Sequence, residues 1–445
     1  MSSNYSSRGR PTGSSYRGRG SHSSYSSKQP SYPPLPPDRV LTEGLTRIAI
    51  CTLNKPSASS TPGVTIKPEN LKYIGSYNWV DELSPTIIVP GSPPEWRKRP
   101  FPYRVPYDTG PRMVDQNGHR MGSASTLLPL LRAVDVVAEA DADTSFDWSS
   151  IDVVTDRNGL RKLLRWLHYD PSSSSDPPKD FRIDIQLGGN KTLLFHRWEK
   201  RKRELAEPPR SGCGINFERE STTPAPGCSR GTGHHRIVQY DLGGLKVVVR
   251  FEVDACVAGT ANNSAPKSPT LASPTPKRAT GNVDDLADLL SGLDVQSAAG
   301  TGSSSTSAGI TVIPGGSKVP QSAIIELTTR SINTVEDFDW QEQFPQLFLS
   351  GTPNLYLAVH QRGTFERAIE HRVGSEEMHS VEQGTRTQRG FRQLVAVLRQ
   401  LQTMAREHGK RVKLSLVCQE GVLKVYERGG EGGVLEDADL ERFGV

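Results

Sequence analysis

No long apolar run occurs anywhere in the 445 residues, and only 34% of them are hydrophobic. A membrane-spanning helix needs about 20 consecutive apolar residues, so none is expected. The polar N-terminus also lacks the apolar core of a signal peptide. Cysteine is scarce: Cys51, Cys213, Cys228, Cys256 and Cys418 are scattered, with no CxxC pair. That spacing argues against a disulfide framework or a cysteine zinc site. It fits a reducing compartment, the nucleus or otherwise the cytoplasm, rather than secretion. His234 and His235 have no second ligand pair at zinc spacing, so they are expected to be structural or exposed. Acid is missing from residues 1–37, where Arg8, Arg10, Arg17, Arg19 and Lys28 supply a charge of +5. The whole chain also carries +5. The rest is therefore neutral, and the basic character belongs to a tail rather than to a basic body. There is no internal repeat, and nothing sets the oligomeric state.

What is present divides into globular and polar stretches. Residues 1–38 alternate Arg–Gly units with Ser–Tyr units at Tyr5, Tyr16, Tyr25 and Tyr32. Such a segment cannot bury a core and is expected to be disordered, either as a weak RNA contact or as an inert solubilising tail. Residues 259–317 are rich in Ser, Thr, Pro, Gly and Ala and are expected to form a disordered internal insert. Ser268, Ser273 and Thr275 each precede proline there, a pattern of proline-directed phosphorylation. At 283–295 leucines recur at helical spacing among acids, as in short docking helices. The same run contains Asp284, Asp285 and Asp288, a DDxxD string. Prenyl-diphosphate synthases bind magnesium and diphosphate with two such strings on long helices, so that reading requires an all-helical protein. Residues 39–258 and 318–445 are expected to be two parts of one domain.

Period-2 and β-branched runs predict strands at 45–53, 71–79, 86–89, 151–154, 181–187, 191–198, 245–256, 323–328, 354–360, 412–418 and 422–427, with one hairpin through Gly188–Gly189–Asn190 and another around Glu420–Gly421. Helices are expected at 127–138, 160–167, 341–351 and 388–408. The last carries Phe391, Leu394, Val395, Leu398 and Leu401 as an apolar stripe. The anchor is 245–256, LKVVVRFEVDAC, where Glu252 and Asp254 interrupt an apolar run. Side chains two apart on a strand share a face. Burying two like charges is costly unless a proton or cation offsets them. A hard divalent metal with oxygen ligands is one solution; a strand edge with solvated acids is the other. Arg157 stands where the 151–154 strand gives way to a turn at 156–159. Glu218 follows a glycine-rich turn in GCGINFE, and Glu326 lies on AIIELT. Arg97, Lys98 and Arg99 beside Trp96 read either as a nucleic-acid contact or as a solvated loop, and the basic run 200–203 either as a nuclear-localisation or backbone-contact patch or as solvated charge.

Taken in order, these acids with an arginine and a glutamine resemble the motif set of the decapping exoribonuclease (DXO) family. The resemblance covers 150–258 and 320–427, and more loosely 39–149. VTDRNGLRKLL matches the first motif at Arg157. GINFE matches the second at Gly214 and Glu218, and EVD the third at Glu252 and Asp254. ELT matches the fourth at Glu326 and Leu327, with Thr328 where the family has lysine. QLFLSGTP resembles a later glutamine motif at Gln346. The resemblance implies an α/β (α+β) fold, a PD-(D/E)xK nuclease-like mixed β-sheet core flanked by helices. It also implies Glu218, Glu252, Asp254, Glu326 and the Leu327 carbonyl as ligands of one or two Mg2+ or Mn2+ ions. Arg157 would clamp a phosphate and Gln346 would position substrate or water. Glu252, Asp254, Glu326 and Thr328 fall on catalytic positions. The implied activity is metal-dependent hydrolysis at RNA five-prime ends in RNA quality control: decapping, pyrophosphate release or NAD-cap removal, in some members with five-prime to three-prime exonuclease action. Implied partners are RNA five-prime ends and a five-prime to three-prime exoribonuclease. The family lysine orients the attacking water and stabilises transition-state charge. With Thr328 in its place, Arg250 or Arg330 takes that role, or the chain binds RNA ends or a nuclease partner without turnover.

Overall fold

The computed structural model describes residues 35–57, 65–142, 145–172, 177–208, 212–262, 305–307, 309–430 and 433–444. Residues 1–34, the greater part of the expected tail, lie outside them, as do the 283–295 run and its DDxxD string.

Valine-rich runs with apolar side chains on both faces become central strands, because such strands must be covered twice. Leu245–Val253 is one of them. It pairs parallel with Val153–Asp156 and antiparallel with Gly231–Leu242, in the middle of a 12-stranded mixed sheet. The expected hairpins are present: Phe181–Gly188 with Thr192–Trp198, and Leu414–Gln419 with Val422–Glu427. Glu420 and Gly421 turn the second with φ of 50° and 80°, the left-handed pair that a tight two-residue turn requires.

Helices cover both faces. Among the described residues the helices of the fold are α1 (Gln116–Met121), α2 (Leu128–Ala142), α3 (Arg157–His168), α4 (Gly214–Ser221), α5 (Trp340–Ser350), α6 (Glu376–Glu382), α7 (Thr385–His408) and α8 (Asp437–Leu440). Val247, Val249 and Phe251 point to the face carrying Leu160, Leu163 and Leu164 of α3 and Phe391, Leu394 and Leu398 of α7. Val248 points to the other face, against Leu130, Leu131 and Val134 of α2. The mixed α/β architecture excludes an all-helical protein.

A second sheet of seven strands contains Ile324–Ser331, Asn354–Gln361 and Thr364–Arg372. It also contains Ala255–Cys256, which pairs with Ile324–Ser331. The expected single strand over 245–256 is therefore two strands in two sheets, and Asp254 is the residue between them.

Three further expectations are corrected. Val153–Asp156 runs directly into α3 with no intervening turn, so Arg157 is the first residue of a helix and not a loop residue. Glu218 lies within α4 rather than beside a turn. The insert expected over 259–317 overlaps the main sheet at its end. There Ile310–Gly315 pairs parallel with Thr86–Pro90, and Ile310 and Val312 are buried. Short apolar residues among Gly and Ser carry little local signal, and the pairing that makes them a strand lies more than two hundred residues away in sequence.

Candidate functional site

The site forms where the two sheets meet. Strands Val153–Asp156 and Leu245–Val253 run parallel and end together there, and crevices beyond such carboxyl ends are natural binding places. Each functional side chain has a local reason for being there. Asp108 accepts hydrogen bonds from the Ile215 and Asn216 amides at 3.2 and 2.9 Å, tying down the start of α4. Phe217 buries its ring against Phe365, 4.3 Å between centroids, which fixes the rotation of that helix and with it Glu218. Asp339 caps α5, accepting from the Gln341 and Glu342 amides at 2.9 and 3.2 Å. Glu342 and Gln346, four apart, then share one face. Gly233 has no Cβ for good reason: one would stand 2.5 Å from Gln116 Oε1 and 3.1 Å from Glu252 Oε1.

The polar contacts centre on Glu326. One oxygen accepts from Arg157 Nη1 at 2.8 Å, and the other accepts from Gln346 Nε2. Gln346 in turn accepts from Arg161, which also donates to Glu342 at 2.6 Å. Asp254 accepts from the Leu327 amide at 2.8 Å, so Leu327 meets the site through its backbone. Thr328, half-buried, follows Glu326 by two on the same strand and shares its face.

Burial and crowding of like charge raise the proton affinity of Glu218, Glu252 and Asp254. Burial, then the charges of Glu252, Glu326 and Asp108, push Glu218 up to about 8. Burial and the Glu326 and Glu218 charges hold Asp254 well above the usual carboxylate range, against the opposing Leu327 amide. Glu252 is solvent-exposed yet sunk between protein walls. Desolvation therefore raises its pKa, while Arg157 and Arg197 pull it back. Among the described residues no three acid, imidazole or thiol groups converge tightly enough to grip a metal ion as the side chains stand. Glu326 and Asp254 are held by the partners just named.

Beside Glu252 and Arg157 opens a cavity of about 160 Å3, lined also by Gln116, Arg161, Arg197 and His235. A larger cavity of about 1010 Å3, between Ser123, Gln186, Lys413 and Asp439, contains none of the candidate residues. The smaller one borders Glu252, one of the four candidate acids, together with Arg157. His235 stacks on Tyr77 at 5.1 Å, and neither its Nδ1 nor Gln116 Oε1 has a hydrogen-bond partner among the described residues.

The structure thus brings Arg157, Glu218, Glu252, Asp254, Glu326, Leu327 and Gln346 to one crossing, with Thr328 alongside. It does not bring Arg250 or Arg330 to serve as the missing lysine. Arg250 is fully buried, and its guanidinium donates to both Asp156 oxygens at 2.6 and 2.9 Å, to the Thr126 carbonyl at 2.6 Å and to the Tyr77 hydroxyl at 3.1 Å. Arg330 donates to the Thr329 carbonyl at 2.9 Å and lies 5.2 Å over the Phe338 ring. Of the basic residues near Trp96, Arg99 pairs with Glu220 at 3.2 Å and stacks over Tyr103, while Arg97 and Lys98 are exposed. His234 and His235 are both buried. Sequence reasoning missed Gln116, Arg197 and His235, for which no local pattern exists. It also passed over Arg161 and Arg165, whose spacing from Arg157 by successive fours was visible.

A family model described as "Domain of unknown function (DUF8563)" matches residues 47–438. No curated protein matches the sequence. Among solved structures, S. pombe Rai1 is similar at 12% identity and a TM-score of 0.49, covering 83% of this chain and 98% of that one. Candida albicans Rai1 in complex with pU5 and Mn2+ is similar at 13% identity and 0.47, covering 87% and 94%. K. lactis Dxo1 in complex with manganese is similar at 10% identity and 0.46, covering 86% and 97%.

Proposed function

This chain belongs to the family described as a domain of unknown function (DUF8563), and we propose that it acts as a metal-dependent hydrolase of RNA five-prime ends, of the decapping exoribonuclease type. The reading is carried by one observation: Glu218, Glu252, Asp254 and Glu326 meet Arg157 and Gln346 at the crossing between the sheets. Four carboxylates and a backbone carbonyl are the oxygen donors that a hard divalent cation takes, and their mutual repulsion is what such a cation would relieve. Glu218, Glu252, Asp254 and Glu326, with the Leu327 carbonyl, would hold Mg2+ or Mn2+. Glu326 would then exchange its present partners for the ion. A bound ion supplies Lewis acidity toward a phosphate and a more acidic water. The chain's own residues do the rest. Arg157, released from Glu326, presents its guanidinium to a substrate phosphate as a planar donor pair. Gln346, oriented by Arg161, positions the substrate or the attacking water.

The test is hydrolysis of five-prime-triphosphate, unmethylated-cap and NAD-capped RNA with Mg2+ or Mn2+, beside a Glu252→Ala/Asp254→Ala protein shown to be folded. The expected result is release of pyrophosphate or a cap fragment by the native chain and not by the double variant. Equal release by both would overturn the assignment of the site.

A second reading has a specific observation in its favour. Thr328 replaces the motif lysine, and Arg250 and Arg330 are both engaged elsewhere. The chain would then bind RNA ends without turnover. In that case metal and RNA bind, nothing is cleaved, and Thr328→Lys restores cleavage by on the order of 10²-fold or more over background.

A further inference from the structure

Arg157, Arg161 and Arg165 follow one another by fours along α3, so they lie on one face with about 6 Å between successive positions along the axis. Their side chains are 13%, 18% and 44% exposed in that order, a path from the acids outward to solvent. Glu342 on α5 pairs with Arg161 and Arg165 together, holding the two guanidinium groups side by side. The path does not end with the helix. His168 packs against α7 at Gly390, where an added Cβ would come within 2.1 Å of its Nε2. Arg386 and Arg389, both exposed, lie within about one turn of Gly390 on that helix. Among the described residues neither has a hydrogen-bond or ion-pair partner. Lys55 closes the group, its ammonium 5.3 Å over the Tyr169 ring just past α3. Burial, and then the charges of Arg386, Arg389 and Lys55 against that of Glu342, depress the His168 pKa, as a cluster of cations should. Among the described residues, Glu326 and Glu252 stand near Arg157, Glu342 near Arg161 and Arg165, and Asp170 near Lys55.

We propose that this row is the track for the body of a single-stranded RNA whose five-prime end lies at the acid crossing. Arg157 takes the phosphate at the site, Arg161 and Arg165 the next ones, and Arg389, Arg386 and Lys55 those beyond. Arginine forks suit phosphate oxygens, and a positively charged groove that follows the backbone is how single strands are held without sequence preference. The inference rests on the five-prime-end reading and adds to it a direction of exit and a length requirement. Affinity should rise with RNA length until the track is filled.

The experiment measures binding of five-prime-monophosphorylated oligouridylates in EDTA, so that no cleavage intervenes. A dinucleotide is compared with a strand of about 12 nucleotides, within the site sizes of single-strand binders. Arg165→Glu and Arg389→Glu are tested separately, since Arg389 has no described partner to strand and its reversal is the safer for folding. Lys246→Glu is the control for net charge: its side chain is on the Val248 face of the central strand, away from α3. The native chain should prefer the longer strand, and its log K should fall with log salt. Each arginine reversal should weaken binding of the longer strand and reduce that slope by about 0.7 per lost phosphate contact; Lys246→Glu should leave the slope alone. If the native chain prefers the longer strand and the arginine variants match it in affinity and slope, the track is overturned and the five-prime-end reading stands. If the native chain binds neither RNA, the track is overturned, and the five-prime-end reading is judged by the hydrolysis test, since Arg157 is paired with Glu326 until the ion binds.

Discussion

Glu218 holds its proton more tightly than an ordinary glutamate, because burial, Glu252, Glu326 and Asp108 together push it up to about 8. The unfolded chain releases that proton near the ordinary glutamate value of 4.5. Between those two values the folded state binds more protons than the unfolded one. The stabilisation is fully present below the lower value and is lost as pH rises through the upper. Asp254 and Glu252 are raised and push in the same direction. Thermal melts in EDTA between about pH 5 and pH 9 should therefore show Tm falling as pH rises. Glu218→Gln should flatten that fall, and Mn2+ should restore Tm most at the alkaline end, where the acids are charged. A native Tm that does not fall over this range, or a variant with the same slope, would show that the carboxylates are not crowded.

Between elements, the pair formed by Asp156 and Arg250 joins the two strands that end at the site. Asp156 occupies the position before α3 but makes no side-chain cap there. Its carboxylate turns to Arg250 instead, and the guanidinium also reaches Thr126 and Tyr77 beneath α2. Burial alone would lower the Arg250 pKa, but Asp156 and Tyr77 outweigh it and hold it above the ordinary value. Removing one member leaves a buried charge without its counterion. Arg250→Met or Asp156→Ala should cost about 3–5 kcal/mol in urea unfolding, and the double variant less than the sum of the two. A loss below about 1 kcal/mol for either, the range of exposed pairs, would contradict the burial. This is a structural role beside the candidate site: the pair anchors Asp156, the residue before Arg157.

Across the whole molecule, the chain returns to the main sheet late. Ile310–Gly315 lies beside Thr86–Pro90, and Ser317 then exchanges hydrogen bonds with Ser92 at 2.8 and 2.9 Å. Replacing residues 263–304 with a short Gly/Ser linker should leave Tm almost unchanged. Extending the replacement to 317 should lower it sharply, because buried Ile310 and Val312 are lost, at about 1.5–3 kcal/mol for each side chain. Equal Tm values for the two deletions would mean that the strand adds nothing to the sheet.

Local sequence was enough for the strand around Val247–Val249, for the long α7 with its apolar stripe, and for both hairpins. Those patterns depend on a residue's near neighbours and on the period of its own backbone. It was enough, too, to single out the acids, because Glu252, Asp254 and Glu326 interrupt apolar runs. Tertiary structure decided what those acids meet. That Asp254 marks the passage from one sheet to the other follows from pairing with Ile324–Ser331, some seventy residues on. That Arg250 is a buried strut rather than a free cation follows from Asp156, Thr126 and Tyr77. Gln116, Arg197 and His235 reach the cavity from three separate elements. A polar side chain's role is set by the register of strands distant in sequence, and no periodicity in its own segment carries that information.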